Sequence, residues 1–310
     1  MQTERKLGKV VWFNGKQLAP EQATTSLFTH SLHYGLGAFE GIRCYKTGDG
    51  RRAIFRLEAH LKRLHNSCKI VELKIPYSIS QLTDAVVSTV RNSGLEEGCY
   101  IRPLVYIGDG PLGVFPGFNP PVDTAIMTWV WGAYLGQEAK DNGARIKVSS
   151  FARGHVNSNM SKGKLTGHYI TSILAKLEVK RAGYDEAILL DTDGYIAEGS
   201  GENIFIYRNG VLKTTPLTSI LEGVTRSTIM ELAKEQGIPV IETRFTRDEL
   251  YTADEVFFSG TAAEITPIRE VDNRVIGDGK PGALTKKLST LFFDAALGKS
   301  LQHKEWLTYV

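Results

Sequence analysis

The sequence predicts an α+β fold in two domains, and three observations carry that expectation. The chain has 310 residues, 42% of them apolar and 23% charged, which is enough material for two buried cores. Strand and hairpin patterns cluster along it rather than alternating regularly with helices, which argues against a doubly wound parallel sheet. A polar stretch, "LGQEAKDNGA" at 135–144, carries no clear period and reads as a linker between a smaller domain, 1–134, and a larger one, 145–310.

The elements follow in order. "VVWFNGKQL" reads as two short strands about an Asn14-Gly15 turn. Leu57, Leu61, Leu64, Cys68 and Val71 recur at helical spacing, as do Ile79, Leu82, Val86 and Val90. "YIRPLVYIG" and "TAIMTWVWGAY" are strands, and "RIKVSS" opens the second half as another. Ile170, Ile173, Leu174 and Leu177 mark a helix. "EAILLD", "GYIAE" and "ENIFIYRNGVLKT" are strands, the last a hairpin through Asn209-Gly210. A helix begins near Thr225 and ends at a glycine, "PVIETRF" and "EVFFSG" are strands, and Gly282–Leu297 is a closing helix.

Composition excludes several function classes. A net charge of only +3, with no strongly basic stretch, disfavours nucleic-acid or acidic-membrane binding. The longest apolar stretches are too short to span a bilayer. The N-terminus "MQTERKLGK" is charged and lacks an apolar signal core. Cys44, Cys68 and Cys99 form no CxxC pair and read as reduced thiols, so a cytoplasmic location is expected.

The chemistry centres on "NSNMSKGKLTGHYITSILAK", 157–176, where two lysines stand two apart ahead of a helix. Lys164 lies two residues before Thr166, an expected N-cap, so the helix dipole would help depress its pKa and favour Schiff-base chemistry. Lys162, between Ser161 and Gly163, reads as more solvated. A pyridoxal-phosphate site needs in addition an anion for the ring nitrogen and groups to cradle the phosphate. "GYIAEGSGEN" places Glu198 at a strand end before two glycines, "LEGVTRSTIM" puts Gly223, Val224 and Thr225 at a helix start, and "FFSGTAAE" ends a strand in small residues. Taken singly, each has an ordinary reading: a loop charge, a turn glutamate, a helix cap, a strand-to-loop transition.

Their joint order decides more. "HSLHYGLGAFEGIRCY", "RLHNSCKI", "YIRPLVYIGD", "WGAYLG", "GYIAEGSGENIF", "GVTRSTIMELA" and "FFSGTAAEITPIR" occur in sequence from about Trp12 to Phe293. The chain so resembles the branched-chain amino-acid aminotransferases of fold type IV, which use pyridoxal 5′-phosphate. The resemblance implies that Lys164 is the catalytic and cofactor-bearing lysine, five residues before Tyr169, which faces the cofactor's phenolic oxygen. It implies Glu198 at the pyridine nitrogen, and Arg63, Gly223, Val224, Thr225 and Thr261 at the phosphate, with Leu221 and Gly260 also lining the cofactor. Tyr34, Phe39, Tyr100, Arg102, Tyr134 and the Thr261-Ala262 turn are the implied substrate-binding residues. Arg102 would take the distal carboxylate of glutamate, and the turn's N–H groups the α-carboxylate. The implied reaction moves the amino group of L-leucine, L-isoleucine or L-valine to 2-oxoglutarate. The partners are amino acids and 2-oxo acids, without metal, nucleic acid or membrane. The loop "GDGPLGVFP" resembles one that closes a neighbouring subunit's site, which implies at least a homodimer, with a hexamer as the larger candidate. Rival readings are a D-amino-acid or (R)-amine aminotransferase, an aminodeoxychorismate lyase, or a non-catalytic carrier of the cofactor. "YIRP" with "GTAAE", and the intact Lys164, Tyr169, Glu198 and Arg102, favour the first reading.

Overall fold

The computed structural model describes residues 6–310. Two compact units are present. One comprises the chain up to Trp131, Gly163–Gly167 and Asp294–Val310; the other comprises Gly132–Lys162 and His168–Phe293.

The first unit holds β1 (Val11–Phe13), β2 (Lys16–Leu18), α1 (His30–Tyr34), β3 (Gly37–Phe39), β4 (Ile42–Lys46), β5 (Arg52–Phe55), α2 (Leu57–Ile70), α3 (Ile79–Asn92), β6 (Gly98–Ile107) and β7 (Val122–Trp129). Its antiparallel sheet runs from the C-terminal strand Leu307–Tyr309 through β5, β4, β6, β7 and β1 to β2, with β3 also on β6. Asn14 and Gly15 adopt φ of 46° and 88°, the left-handed pair that a tight hairpin requires. Ser78 starts α3 by accepting from the Gln81 N–H, while the Gln81 side chain reaches back to the Ser78 N–H. The faces of α2 and α3 expected from spacing, Leu57, Leu61, Leu64, Leu82, Val86 and Val90, are buried with Ile42, Ile101 and Ile126 of the sheet.

The second unit follows with α4 (Gln137–Asn142), β8 (Ala144–Ala152), α5 (Tyr169–Arg181), β9 (Glu186–Leu190), β10 (Ile196–Gly199), β11 (Asn203–Arg208), β12 (Val211–Thr214), α6 (Val224–Glu235), β13 (Val240–Glu242), α7 (Arg247–Tyr251), β14 (Glu255–Gly260), β15 (Glu264–Val271), β16 (Arg274–Val275) and the start of α8 (Ala283–Ala296). Its sheet runs β10-β9-β8-β15-β14-β11-β12-β13, with β16 on β15. Parallel pairs (β8 with β9, β15 with β8, β12 with β13) mix with antiparallel ones. One core contains Ile146, Ile188, Ile204, Phe245, Phe258 and Ile268; a smaller one lies under α5, with Ala175, Val179, Tyr184, Ala187 and Leu189. No helix among the described residues is long and apolar enough to cross a membrane.

Several expectations need correction. Residues 135–144 are not an uncommitted linker: they hold α4 and the first residue of β8, and Ala139 is buried in the second core. Gly163–Gly167 and Asp294–Val310, expected in the C-terminal domain, belong to the first unit. The reason is backbone pairing: Phe39 N–H donates to the Lys164 carbonyl at 3.0 Å, and Leu307–Tyr309 adds to β5. The helix marked by Ile170, Ile173, Leu174 and Leu177 exists, but those side chains face outward, 63%, 56%, 42% and 45% exposed. Its buried side is Ser172, Ala175 and Val179, small enough to lie close on β8 and β9.

Candidate active site

In the first unit, Lys164 is pinned by its backbone. Its N–H donates to Ser67 Oγ at 2.9 Å, and the Ser67 hydroxyl donates to the Arg63 carbonyl at 2.9 Å. The Lys164 Nζ stands 5.0 Å from the centre of the Phe39 ring. Thr166 is not the expected N-cap: its hydroxyl donates to the Gly35 carbonyl at 2.6 Å, a short 3-10 turn spans Thr166–His168, and α5 begins only at Tyr169. The chain at Lys164 is therefore tied to the Gly35–Phe39 segment rather than to the helix.

Arg63, on α2, meets Glu40 through two bonds, Nε to Oε1 at 2.6 Å and Nη2 to Oε2 at 2.9 Å. His60 Nδ1 lies 2.8 Å from the same carboxylate, which is fully buried. Burial alone would raise the Glu40 carboxyl; the Arg63 guanidinium and His60 overcome that and hold it well below the usual range. Burial likewise pushes the His60 ring down, against the pull of Glu40. A two-point pair of this kind fixes the plane of the guanidinium as well as its place.

Arg102, on β6, sits among rings. Its guanidinium carbon is 4.6 Å from the Phe39 centroid, 5.4 Å from Trp129 and 5.5 Å from Tyr100. Its Nη2 donates to the Tyr100 hydroxyl at 3.5 Å, and its Nε is buried with no hydrogen-bond partner among the described residues. Gly41 makes room for Tyr100, since a Cβ there would lie 1.8 Å from its hydroxyl. Tyr34 does not join this cluster; it is 46% exposed on α1, with its ring packed on those of His30 and His33.

In the second unit, a bulge in the β9–β10 ladder between Ile196 and Glu198 sets the direction of the Glu198 carboxylate. The groups that hold that carboxylate include Arg153 as an ion pair, with Nε at 3.0 Å, and hydrogen bonds from Asn203 Nδ2 at 3.2 Å and the Leu221 N–H at 3.3 Å. Arg153 is itself buried, and donates to Ser172 Oγ at 2.8 Å and to the Gly199 carbonyl at 2.7 Å. Gly223 caps α6, with Val224 and Thr225 in its first turn, so unpaired N–H groups are presented together. Gly223 is needed for space: a Cβ would lie 2.0 Å from Asn203 Oδ1. Thr261 and Ala262 lie in the turn between β14 and β15, directly after Gly260. Tyr169 is the first residue of α5.

Beside Glu198 in sequence, Glu202 is buried, accepts the Gly201 N–H at 3.0 Å, and has an unpartnered Oε1. Burial, reinforced by the Glu186 carboxylate, pushes its carboxyl up to about 8. Lys176 pairs with Glu186 and stands 5.3 Å from the Tyr134 ring centre. Burial, then Glu202, raises the Tyr134 phenol. A carboxyl that holds its proton more tightly when folded makes stability fall as pH rises from its ordinary 4.5 towards about 8. Thermal melts across that window should show the fall, and Glu202→Gln should flatten it, with a melting temperature higher by about 2 °C or more at the alkaline end.

Three contributors escaped sequence reasoning. Glu40 lay in plain view in "FEGIR", but nothing local shows that it meets Arg63 and His60. Arg153 in "ARGHVN" has no spacing relation to Glu198. Trp129 read only as a strand residue.

The second unit thus presents a buried, ion-paired carboxylate and a glycine-capped helix start, and the first ties the Lys164 backbone, through Ser67, to that of Arg63. The amino-transferase class IV family model matches residues 37–271, and the chain belongs to that family. A branched-chain-amino-acid aminotransferase of Pseudomonas aeruginosa is 49% identical over 301 residues, covering 97% of each chain. The crystal structure of the Escherichia coli branched-chain amino acid aminotransferase superposes with a TM-score of 0.94 at 44% identity, over 97% of this chain and 98% of that one. The branched-chain amino acid aminotransferase of Thermobaculum terrenum, solved in its PLP-bound holo form, gives a TM-score of 0.92 at 32% identity, over 98% and 99% of the two chains.

Proposed function

We propose that the chain is a pyridoxal-phosphate-dependent transaminase that moves the amino group of leucine, isoleucine or valine to 2-oxoglutarate. The observation that carries the specificity is Arg102. Its guanidinium is walled by Phe39, Tyr100 and Trp129, and among the described residues its Nε is buried without a hydrogen-bond partner. Apolar walls suit a branched side chain; a guanidinium with an unused buried donor suits a carboxylate.

The cofactor residues fit the group. Arg63 and the start of α6, with Gly223, Val224, Thr225 and Thr261, are assigned to its phosphate, and Leu221 and Gly260 to its surroundings. When bound, the cofactor supplies the carbon that takes up the amino group and a ring that accepts an electron pair. Glu198, kept in place by Arg153, would hold the proton on the ring nitrogen. Tyr169 is assigned to the phenolic oxygen. The Lys164 amine would hold the cofactor and would serve as the base and acid for the substrate Cα proton. The N–H groups of Thr261 and Ala262 are assigned to the α-carboxylate, and Tyr34 and Tyr134 to the substrate side chain.

The working unit is proposed to be a homo-oligomer, at least a dimer, in the cytoplasm. Within the first unit, Leu27, Phe28, Leu112, Val114, Phe115 and Phe118 are exposed, and within the second the α5 stripe is too. Such apolar surface is what association covers. The three cysteines are free buried thiols.

Turnover tests the reading. Glutamate should form from 2-oxoglutarate with L-leucine, L-isoleucine and L-valine, and D-alanine should be a far poorer donor. Efficient use of D-alanine, or pyruvate release from aminodeoxychorismate, would replace the reading with one of its rivals.

A further inference from the structure

Ser67, on α2, is fully buried. A buried helix serine commonly returns its hydroxyl to the carbonyl four residues back, and Ser67 does so, at 2.9 Å from the Arg63 oxygen. On its own that bond is routine helix chemistry. The same oxygen also accepts the Lys164 N–H at 2.9 Å, from a residue 97 positions away. One side chain therefore ties the backbone of Arg63 to that of Lys164.

The tie closes a ring of contacts within the first unit. The Lys164 carbonyl accepts the Phe39 N–H at 3.0 Å. Glu40 follows Phe39 in the chain, and its carboxylate takes the Arg63 guanidinium through Nε at 2.6 Å and Nη2 at 2.9 Å. From Arg63 the path returns to Lys164 through Ser67. Ser67 and Glu40, the two side-chain acceptors in this ring, are both 0% exposed. Water cannot readily replace hydrogen bonds made at such depth, so the lysine, the Phe39 backbone and the arginine keep fixed places relative to one another.

We infer that Ser67 is a positioning residue for amino transfer: by accepting the Lys164 N–H it fixes the lysine backbone at a set place relative to Arg63. This rests on the reading of Lys164 as the cofactor-bearing lysine and of Arg63 as a phosphate ligand. Ser67 acts through Lys164. Alanine at 67 removes the acceptor of the Lys164 N–H and loosens that segment, while Glu40 still holds the Arg63 guanidinium. A small displacement of the group that moves the proton is costly in rate, whereas binding of the phosphate does not depend on it.

The test compares full-length wild type, Ser67→Ala and Ser67→Cys by three readouts. Cysteine keeps the side chain's size but is a weak acceptor, so it serves where alanine might disturb packing. Hydrogen exchange of the peptide that contains Lys164 should become about tenfold faster in Ser67→Ala. The single-turnover rate with L-leucine should fall by roughly tenfold or more. The affinity of cofactor-stripped protein for pyridoxamine 5′-phosphate, read by calorimetry, should stay unchanged, because that ligand cannot bond to Lys164. Ser67→Cys should move the same two quantities in the same direction by less. Unchanged exchange, or faster exchange with an unchanged rate, would overturn the inference. A matching loss of pyridoxamine 5′-phosphate affinity would assign Ser67 to Arg63 or to the fold and would overturn it too. Wild type that binds pyridoxamine 5′-phosphate but does not turn over L-leucine would instead remove the reading of the reaction, and the inference with it.

Discussion

Replacing Lys164 by alanine is expected to remove turnover while the fold survives. The anchors of this residue are main-chain: its N–H to Ser67 Oγ and its carbonyl to the Phe39 N–H. Both persist in alanine, so the segment should keep its place. What disappears is the amine proposed to carry the cofactor and transfer the proton. Loss of a positioned acid–base group alone costs about a hundredfold to ten-thousandfold in rate. Two tasks are proposed for Lys164, so the upper end or beyond is expected. The checks are single-turnover kinetics with L-leucine and a thermal melt of the same preparation. Retained turnover in a folded Lys164→Ala protein would remove Lys164 from the centre of the mechanism.

Arg102→Met should separate the two half-reactions. On the proposed reading, glutamate and 2-oxoglutarate bring a distal carboxylate to Arg102, which is walled by Phe39, Tyr100 and Trp129. Removing one member of a buried, hydrogen-bonded charge pair costs about 2–5 kcal/mol, roughly thirtyfold or more in apparent affinity. Leucine has no such carboxylate, and methionine keeps apolar contact with the rings, so its half-reaction should lose much less. Lysine would be a poor substitute, lacking the planar fork. Cofactor absorbance in single turnovers of each half-reaction reads the difference. Equal losses would assign Arg102 to the shared α-carboxylate or to the wall itself.

Local signals in the sequence reached far into this fold. The buried faces of α2 and α3, the Asn14-Gly15 turn and the Gly223 start of α6 follow from spacing and turn chemistry alone. Periodicity also located α5 but not its orientation. Ile170, Ile173, Leu174 and Leu177 make an apolar stripe, and a stripe does not say whether it meets its own sheet or another molecule. Thr166 resembled a cap because threonine ahead of a helix usually is one; its hydroxyl instead ties the lysine segment to Gly35. The remaining misses are non-local. The pairing of Arg153 with Glu198, the meeting of Glu40 with Arg63 and His60, and the addition of Leu307–Tyr309 to β5 join residues far apart in sequence. Nothing in the local pattern at either partner announces the other. The order of the motifs carries the family, which the comparisons show, whereas the side chains that pair with Glu198 and Arg63 were legible only once folded.

Lys164 is proposed to present a pyridoxal-phosphate cofactor that accepts the amino group of a branched-chain L-amino acid. The most direct measurement is the absorption spectrum of the purified protein before and after L-leucine is added without any acceptor. The yellow band of the lysine-bound cofactor should give way to the near-ultraviolet band of its amine form, and 2-oxoglutarate should restore it. A yellow band that L-leucine leaves unchanged, or that D-alanine discharges in its place, would contradict the account.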